Sequence, residues 1–321
     1  MNKLLKRLRR SYATRNGIPL DENLFSPPPV DFSGQEASDL IYEKLISDKP
    51  VMIARYGGTE LGTLSNYLDM QTPVIIRPLL YIINKIDSFF WDEQYRIWMS
   101  VYSGFYPNDR KNIIKFCKLF LNDIKELDVL GAWQTRERKI KKPKRARTIP
   151  LLDLEPYYHK KPWSKALKGK KVLVIHPFEE SIKNQYKIRE KLFENPDVLP
   201  EFELITIKAV QTVAGNNHDA FNDWFEALEY MKNGINKTDF DIAIIGCGAY
   251  GFSLAAHVKR IGKKAVHLGG ATQLLFGIIG KRWESADIYI KKFTFKNDYW
   301  VRPLESEKPN NSEKVEGSTY W

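Results

Sequence analysis

Residues 241–270, DIAIIGCGAYGFSLAAHVKRIGKKAVHLGG, set Gly246, Gly248 and Gly251 in G-x-G-x-x-G spacing behind an apolar run and ahead of a helical pattern. Glycines at such a turn let the backbone approach phosphate oxygens. The helix that follows, starting near Tyr250, aims free N–H groups at the same anion. A nicotinamide dinucleotide also needs an acidic residue about 20 positions on, to hold its ribose hydroxyls. The next strand ends KAVHLGG, which supplies His267, Gly269 and Gly270 but no carboxylate. The spacing therefore predicts a site for some other phosphate-bearing ligand, although a turn kept for packing alone accounts for the same glycines. Cys247, inside the loop, has no evident base beside it and reads as a small side chain rather than a nucleophile.

A second candidate turn is ARYGGTE, residues 54–60. An apolar run delivers Arg55 and Tyr56 to the glycine pair Gly57 and Gly58, and Glu60 falls in the first turn of the next helix. Arg55 suits a phosphate or carboxylate through charge-assisted hydrogen bonds, and Glu60 can ligate a divalent cation or accept sugar hydroxyls. The two can equally pair with each other, Glu60 then serving only the helix N-terminus. A third turn, HPFEES, brings His176, Glu179 and Glu180 to the head of a helix as candidate general bases; a hydrogen-bonded structural histidine fits His176 as well. The fourth is HLGGATQ, with His267 on the same rim. Tyr56, Trp133 and Tyr250 can stack on a base or sugar, or fill the core.

These turns act together only if one sheet carries them. Strand patterns at PVMIARYGG, TPVIIRPL, DVLGAW, KKVLVIHPF, FELITIKAV, DFDIAIIGCG and KAVHLGG alternate with helical ones, including EESIKNQYKIREKLF, FNDWFEALEYMKNGI, GFSLAAHVKRIG and ATQLLFGIIGKRW. That alternation predicts a doubly wound α/β fold with a mostly parallel sheet, helices on both faces and ligands at the carboxyl edge. An aromatic-rich helical segment, 88–127, is inserted, with Asn108 or Asp109 capping its second helix. Ser33 is the expected N-cap of the helix that opens the body. The predicted organisation is a basic, Pro-rich arm (1–33), an α/β body (34–297) and a polar, irregular tail (298–321) whose Trp and Tyr residues can pack back.

The chain carries a net charge of +11, concentrated at residues 3–10 and in RERKIKKPKRAR, 136–147. Such runs are solvated faces or contacts to an anionic surface such as a membrane leaflet. No reader module accompanies them, which argues against sequence-specific nucleic-acid binding. Two cysteines cannot build a disulfide framework and fit a reducing, cytoplasmic interior. The uncharged run Ile242–Val258 approaches the length of a membrane span, but its glycines and its change from strand to helix pattern predict a βα unit instead.

VMIARYGGTELGTL resembles the RFGDGE segment near the start of the GT-D type glycosyltransferase domain of bacterial polysaccharide and glycoprotein glycosylation loci. FDIAIIGCGAYGFSLAAHVKRIGKKAVHLGG resembles that family's last βαβ unit, so the likeness spans about residues 40–285. It implies a Rossmann-like domain that transfers sugar from a nucleotide-sugar donor to a glycan or lipid-linked acceptor. It also implies a divalent cation, manganese or magnesium, held by an Asp-x-Glu pair. Arg55, Tyr56 and Gly57 match the family's strand end, Glu60 matches the glutamate, and Gly58 stands where the aspartate would be. Loss of that carboxylate weakens the expected cation site. It leaves open a non-catalytic nucleotide-sugar-binding subunit of a polysaccharide system. In the catalytic version, Arg55 and the helix N-termini behind GCGAYG and HLGGATQ stabilise the departing diphosphate. The base is Glu60, Glu179, Glu180 or His176, and the basic segments hold the protein at the inner membrane face.

Overall fold

Among the described residues there are seven strands, most of them apolar runs: β1 Val51–Ala54, β2 Val129–Ala132, β3 Arg147–Pro150, β4 Lys171–His176, β5 Glu203–Lys208, β6 Ile242–Ile245 and β7 Lys264–His267. The computed structural model describes residues 2–18, 28–216, 220–285, 295–315 and 320–321; His218 lies outside them. The strands make one sheet in the order β3-β2-β1-β7-β6-β4-β5, with every neighbouring pair parallel. Side chains alternate across each strand. Met52 and Ala54, Leu173 and Ile175, and Ala243 and Ile245 therefore enter one core, whereas Val51 and Ile53, Val172 and Val174, and Ile242 and Ile244 enter the other. Strands buried on both sides read as unbroken apolar runs, and each face needs its own cover of helices.

That cover comes from α1 Asn2–Arg15, α2 Gln35–Ile46, α3 Gly58–Asp69, α4 Arg77–Ile82, α5 Glu93–Ser103, α6 Arg110–Asp123, α7 Glu179–Tyr186, α8 Trp224–Asn236, α9 Tyr250–Arg260, α10 Thr272–Leu275 and α11 Lys281–Ser285. Buried residues of α3, α5, α6, α8 and α9 join the first core; those of α2, α7 and α10 join the second. The fold is a doubly wound, Rossmann-like α/β arrangement. Between β1 and β2 lies the aromatic helical insertion, whose Phe105, Phe116 and Phe120 pack with Trp224 of α8 and Phe252 of α9.

The winding opens a crevice at the carboxyl edge. Chains leaving β1 and β6 pass to the first face as α3 and α9; chains leaving β4 and β7 pass to the second as α7 and α10. Neighbouring loops thus diverge at all three boundaries, β1–β7, β7–β6 and β6–β4, the kind of place where such sheets take ligands.

Several elements differ from the sequence-based expectation. TPVIIRPL is no strand: it forms a 3-10 turn, Val74–Ile76, and the start of α4, with Pro78 in the first helical turn. No sheet neighbour covers its aliphatics. Strand β3 was not foreseen, because a short edge strand bracketed by Arg147 and Pro150 carries little apolar signal. The N-cap of α2 is Gly34 rather than Ser33; its φ of +58° suits glycine, and its N–H donates to Asp153 at 2.7 Å. ATQLLFGIIGKRW splits into α10 and α11 around Gly277, whose φ is +64°. Asp109 does cap α6, accepting the N–H of Asn112 at 3.0 Å.

Both ends of the chain are better held than the terms arm and tail suggest. Helix α1 packs on α4, and Trp300, Val315 and Trp321 join the second core. Glu307 is buried at the start of α7, where it accepts the N–H groups of Glu180 (2.7 Å) and Ser181 (3.3 Å). The basic segment is partly neutralised within the molecule. Lys139 (2.8 Å), Arg136 (3.5 Å) and Arg9 (3.6 Å) converge on Asp87, and Arg145 meets Asp128 at 3.0 Å. Burial alone would raise the Asp87 carboxyl; the three cations outweigh it and hold the group below its ordinary range. Among the described residues no helix is long and apolar enough to cross a membrane, and Ile242–Val258 is β6 running into α9.

Candidate functional site

All four turns meet in one crevice. Its walls include Arg55, Gly57, Gly58 and Glu60 after β1, His176 at the end of β4, Gly246 and Gly248 after β6, His267 at the end of β7, and Gly269 and Gly270 after it. The void measures about 220 Å³.

Arg55 leaves the end of β1 and lays its guanidinium 5.0 Å from the centroid of the Trp133 ring, supplied by the adjacent end of β2. On its other side lies the β7 turn, where a Cβ on Gly269 would come within 3.0 Å of Arg55 Nη1. Trp133 is itself fixed, its indole N–H donating to the Tyr56 carbonyl at 3.0 Å. Its ring also lies 3.4 Å from where a Cβ on Gly58 would stand. Glu60 folds back over Gly57, with a carboxylate oxygen 1.8 Å from the place a Cβ would need, so the glycine makes room for the glutamate.

The two histidines are buried, each 4% exposed, and burial drives both down to about 3. For His267 the nearby Arg55 charge adds to that effect. Both rings are neutral near pH 7, and their partners fix opposite tautomers. His176 Nδ1 accepts the N–H of Phe178 at 3.0 Å, so its proton sits on Nε2. His267 Nδ1 donates to the Ile245 carbonyl at 3.2 Å, which leaves the lone pair on Nε2. One imidazole offers the crevice a donor and the other an acceptor.

The glycine loop is shaped by this surrounding structure. A Cβ on Gly246 would strike the Gly269 carbonyl and Thr272 Oγ1, both at 2.5 Å; on Gly251 it would strike the His267 ring at 2.3 Å. Gly248 holds a φ of +55° and is exposed at the crevice. Among the described residues no side chain caps α3, so its first N–H groups and positive dipole end lie at the rim with Gly58 and Thr59. At α9 the N–H groups of Ala249, Tyr250 and Gly251 are already taken by the carbonyls of Ser103, Cys247 and Gly248. Burial pushes the Cys247 thiol well up, as befits a packed side chain.

Other candidates lie elsewhere. Glu179 and Glu180 are not wall residues: Lys183 pairs with both at 2.9 Å, and Thr206 donates to Glu179. Tyr56 is 1% exposed and packs against Phe120 and Phe252. Tyr250 touches the crevice but stacks on Trp224 at 4.9 Å. Gly251 lies beneath His267.

Two features of the site escaped the sequence reading. Glu137, inside the basic segment, is 4% exposed. Its Oε1 accepts the N–H groups of Trp133 and Gln134, both at 3.2 Å, and its Oε2 meets no hydrogen-bond partner among the described residues. Burial raises its carboxyl to about 7, against the lowering effect of those N–H groups and of Arg55. The visible signal was Gln134-x-x-Glu137, the spacing of a helix capping box. The second feature is the pair Tyr320 and Trp321, which walls one side of the crevice. The Tyr320 ring lies over Gly270, 2.6 Å from a would-be Cβ, and its hydroxyl accepts from Arg282 at 3.0 Å.

Glu60 is the one carboxylate among the described wall residues, and no group of three or more His, Cys, Asp and Glu among the described residues is placed to hold a metal. With Trp133 beside Gly58, the donor set does not fit a cation gripped by two protein carboxylates. Fold and site together define a Rossmann-like α/β protein with a polar, partly aromatic crevice at the carboxyl edge of its sheet. No protein-family model, curated protein or solved structure matches the chain.

Proposed function

We propose that the crevice binds the diphosphate of a nucleotide sugar and that the chain is a glycosyltransferase. The observation that carries this reading is the Arg55 guanidinium held between Trp133 and Gly269, on the same crevice wall as the start of α3. A fixed planar cation beside a helix start suits a departing diphosphate. The His176 Nε2–H adds a neutral donor. The anomeric carbon–oxygen bond to the diphosphate breaks as the acceptor hydroxyl bonds to that carbon, and Glu60 takes the hydroxyl proton. His176 is a poor base here, since its Nδ1 lone pair is engaged and Nε2 already carries a proton. Ligand pockets typically run to roughly 300–1,000 Å³. The crevice, a void of about 220 Å³, falls below that range and would take the diphosphate end of such a donor rather than the whole of it.

A second reading rests on Gly58 and its neighbour Trp133: with a single carboxylate at the rim, the chain holds the donor for a partner enzyme without turning it over. One experiment separates the two. Thermal shift is measured across nucleotide sugars and NAD(P), with and without manganese, and any stabilising donor is then assayed for hydrolysis and transfer. Stabilisation and turnover by a nucleotide sugar are expected. Stabilisation without turnover favours the binding subunit, and a response to NAD(P) alone removes both.

A further inference from the structure

Large aliphatic side chains on a protein surface are normally scattered singly. Here Val74, Ile75 and Ile76 follow one another at 71%, 85% and 41% exposure, with Leu79 at 59% one turn later. They form the 3-10 turn and the outer side of α4, and the segment is anchored from beneath. Arg77 donates to the carbonyls of Thr72 and Met70, both at 2.9 Å, and the buried Tyr81 ring meets Phe89 edge-on at 5.1 Å. The aliphatics are thus held outward on a fixed base.

Packed against α4 is α1, NKLLKRLRRSYATR, with six basic residues and no acidic one. Arg9 faces inward, 4.4 Å from the centroid of the Tyr81 ring and 3.6 Å from Asp87, and fixes the helix to the body. Lys3, Lys6 and Arg7 are exposed, as are Leu4 and Leu8, one helical turn apart. Protein interfaces favour aromatics and are depleted in lysine. An aliphatic turn beside a wholly cationic amphipathic helix instead fits the boundary of an anionic bilayer, with the aliphatics among the acyl chains and the cations at the headgroups.

We propose that Val74, Ile75, Ile76, Leu79 and the outer face of α1 form a docking surface for an anionic lipid bilayer. The charge lies on α1, and the apolar contact comes from a turn some 60 residues further along the sequence. The test is co-sedimentation of the full chain with vesicles of phosphatidylcholine alone or mixed with phosphatidylglycerol. The wild type is expected to partition onto the mixed vesicles and not onto the neutral ones. Combined Val74→Ser, Ile75→Ser and Ile76→Ser changes should lower that partitioning about tenfold while leaving the melting temperature unchanged, because these side chains are exposed. Lys3→Glu, Lys6→Glu and Arg7→Glu together should abolish the preference for phosphatidylglycerol. Equal partitioning of the serine variant and the wild type overturns the proposal, as does failure of the wild type to bind either vesicle. A wild-type dimer that the serine changes convert to monomer, without lipid binding, reassigns the surface to self-association.

Discussion

A Cβ on Gly251 would stand 2.3 Å from Cε1 of His267, so this glycine of α9 exists to seat the imidazole at the end of β7. The same relation recurs around the crevice: Gly57 clears space for Glu60, Gly269 for Arg55 and Gly270 for Tyr320. Glycines whose spacing suggested close approach by a ligand are close approaches by the site's own side chains. They set where the crevice's cation, donor and acceptor stand, and Gly248, exposed with its positive φ, remains open toward the void.

Gly251→Ala is therefore an overpacking substitution. The ring cannot retreat without losing the Nδ1–H bond to Ile245, and a cost of about 1–3 kcal/mol is expected. Urea denaturation measures it, and a loss below about 0.5 kcal/mol would show that the ring moves freely.

His176 and His267 should remain neutral across the pH range in which ordinary histidines titrate. Burial depresses both, so the unfolded chain binds protons that the folded chain refuses. Sign follows from that difference: this stability contribution is full above about 6.5 and is lost as pH falls toward about 3. Nitrogen-15 NMR of the imidazoles should show no titration between about pH 5 and 8. It should place the proton on Nε2 of His176 and on Nδ1 of His267; the same tautomer in both rings contradicts the site geometry.

Much of the sheet was legible because β1, β4, β6 and β7 are buried on both faces, so between the lysine and histidine that end β4 and β7 they read as unbroken apolar runs. The four turns could be assigned to one edge because all the strands run parallel. Val74–Ile76 misled because an exposed aliphatic run has the same composition as a buried strand; only the missing sheet neighbour distinguishes them. Glu137 was hidden by the cations around it, since residues 136–147 carry the sequence signature of a solvated loop while Glu137 itself is 4% exposed. Tyr320 and Trp321 reach the crevice through tertiary packing, which no local periodicity records.

Glu137 gives the chain a pH response near neutrality. The folded carboxyl titrates at about 7 against 4.5 when free, so the folded state holds the proton more tightly. Stability then falls as pH rises between those values, by on the order of 3 kcal/mol, and levels off above them. Glu137→Gln keeps an oxygen for the Trp133 and Gln134 N–H groups and removes the titration. Its stability relative to wild type should improve from pH 5 to pH 8; a difference independent of pH would clear Glu137 of this role.

Arg55 is where geometry and proposed chemistry can be separated most sharply. Arg55→Lys keeps the charge but loses the planar fork and much of the stacking on Trp133, so the lysine ammonium has no fixed direction toward a diphosphate. Affinity for a nucleoside diphosphate should drop about tenfold in that variant and about a hundredfold in Arg55→Ala, the range for charge-assisted pairs in partly desolvated sites. Trp133→Phe is the informative control. It retains a ring beneath the guanidinium and removes the N–H that holds the ring to the Tyr56 carbonyl at 3.0 Å, so its affinity should fall between wild type and Arg55→Lys. Calorimetry on the four proteins, at matched ionic strength, gives the order directly. If Arg55→Ala binds a nucleoside diphosphate as tightly as the wild type, the ligand's charge is held somewhere other than the rim between β1 and β7.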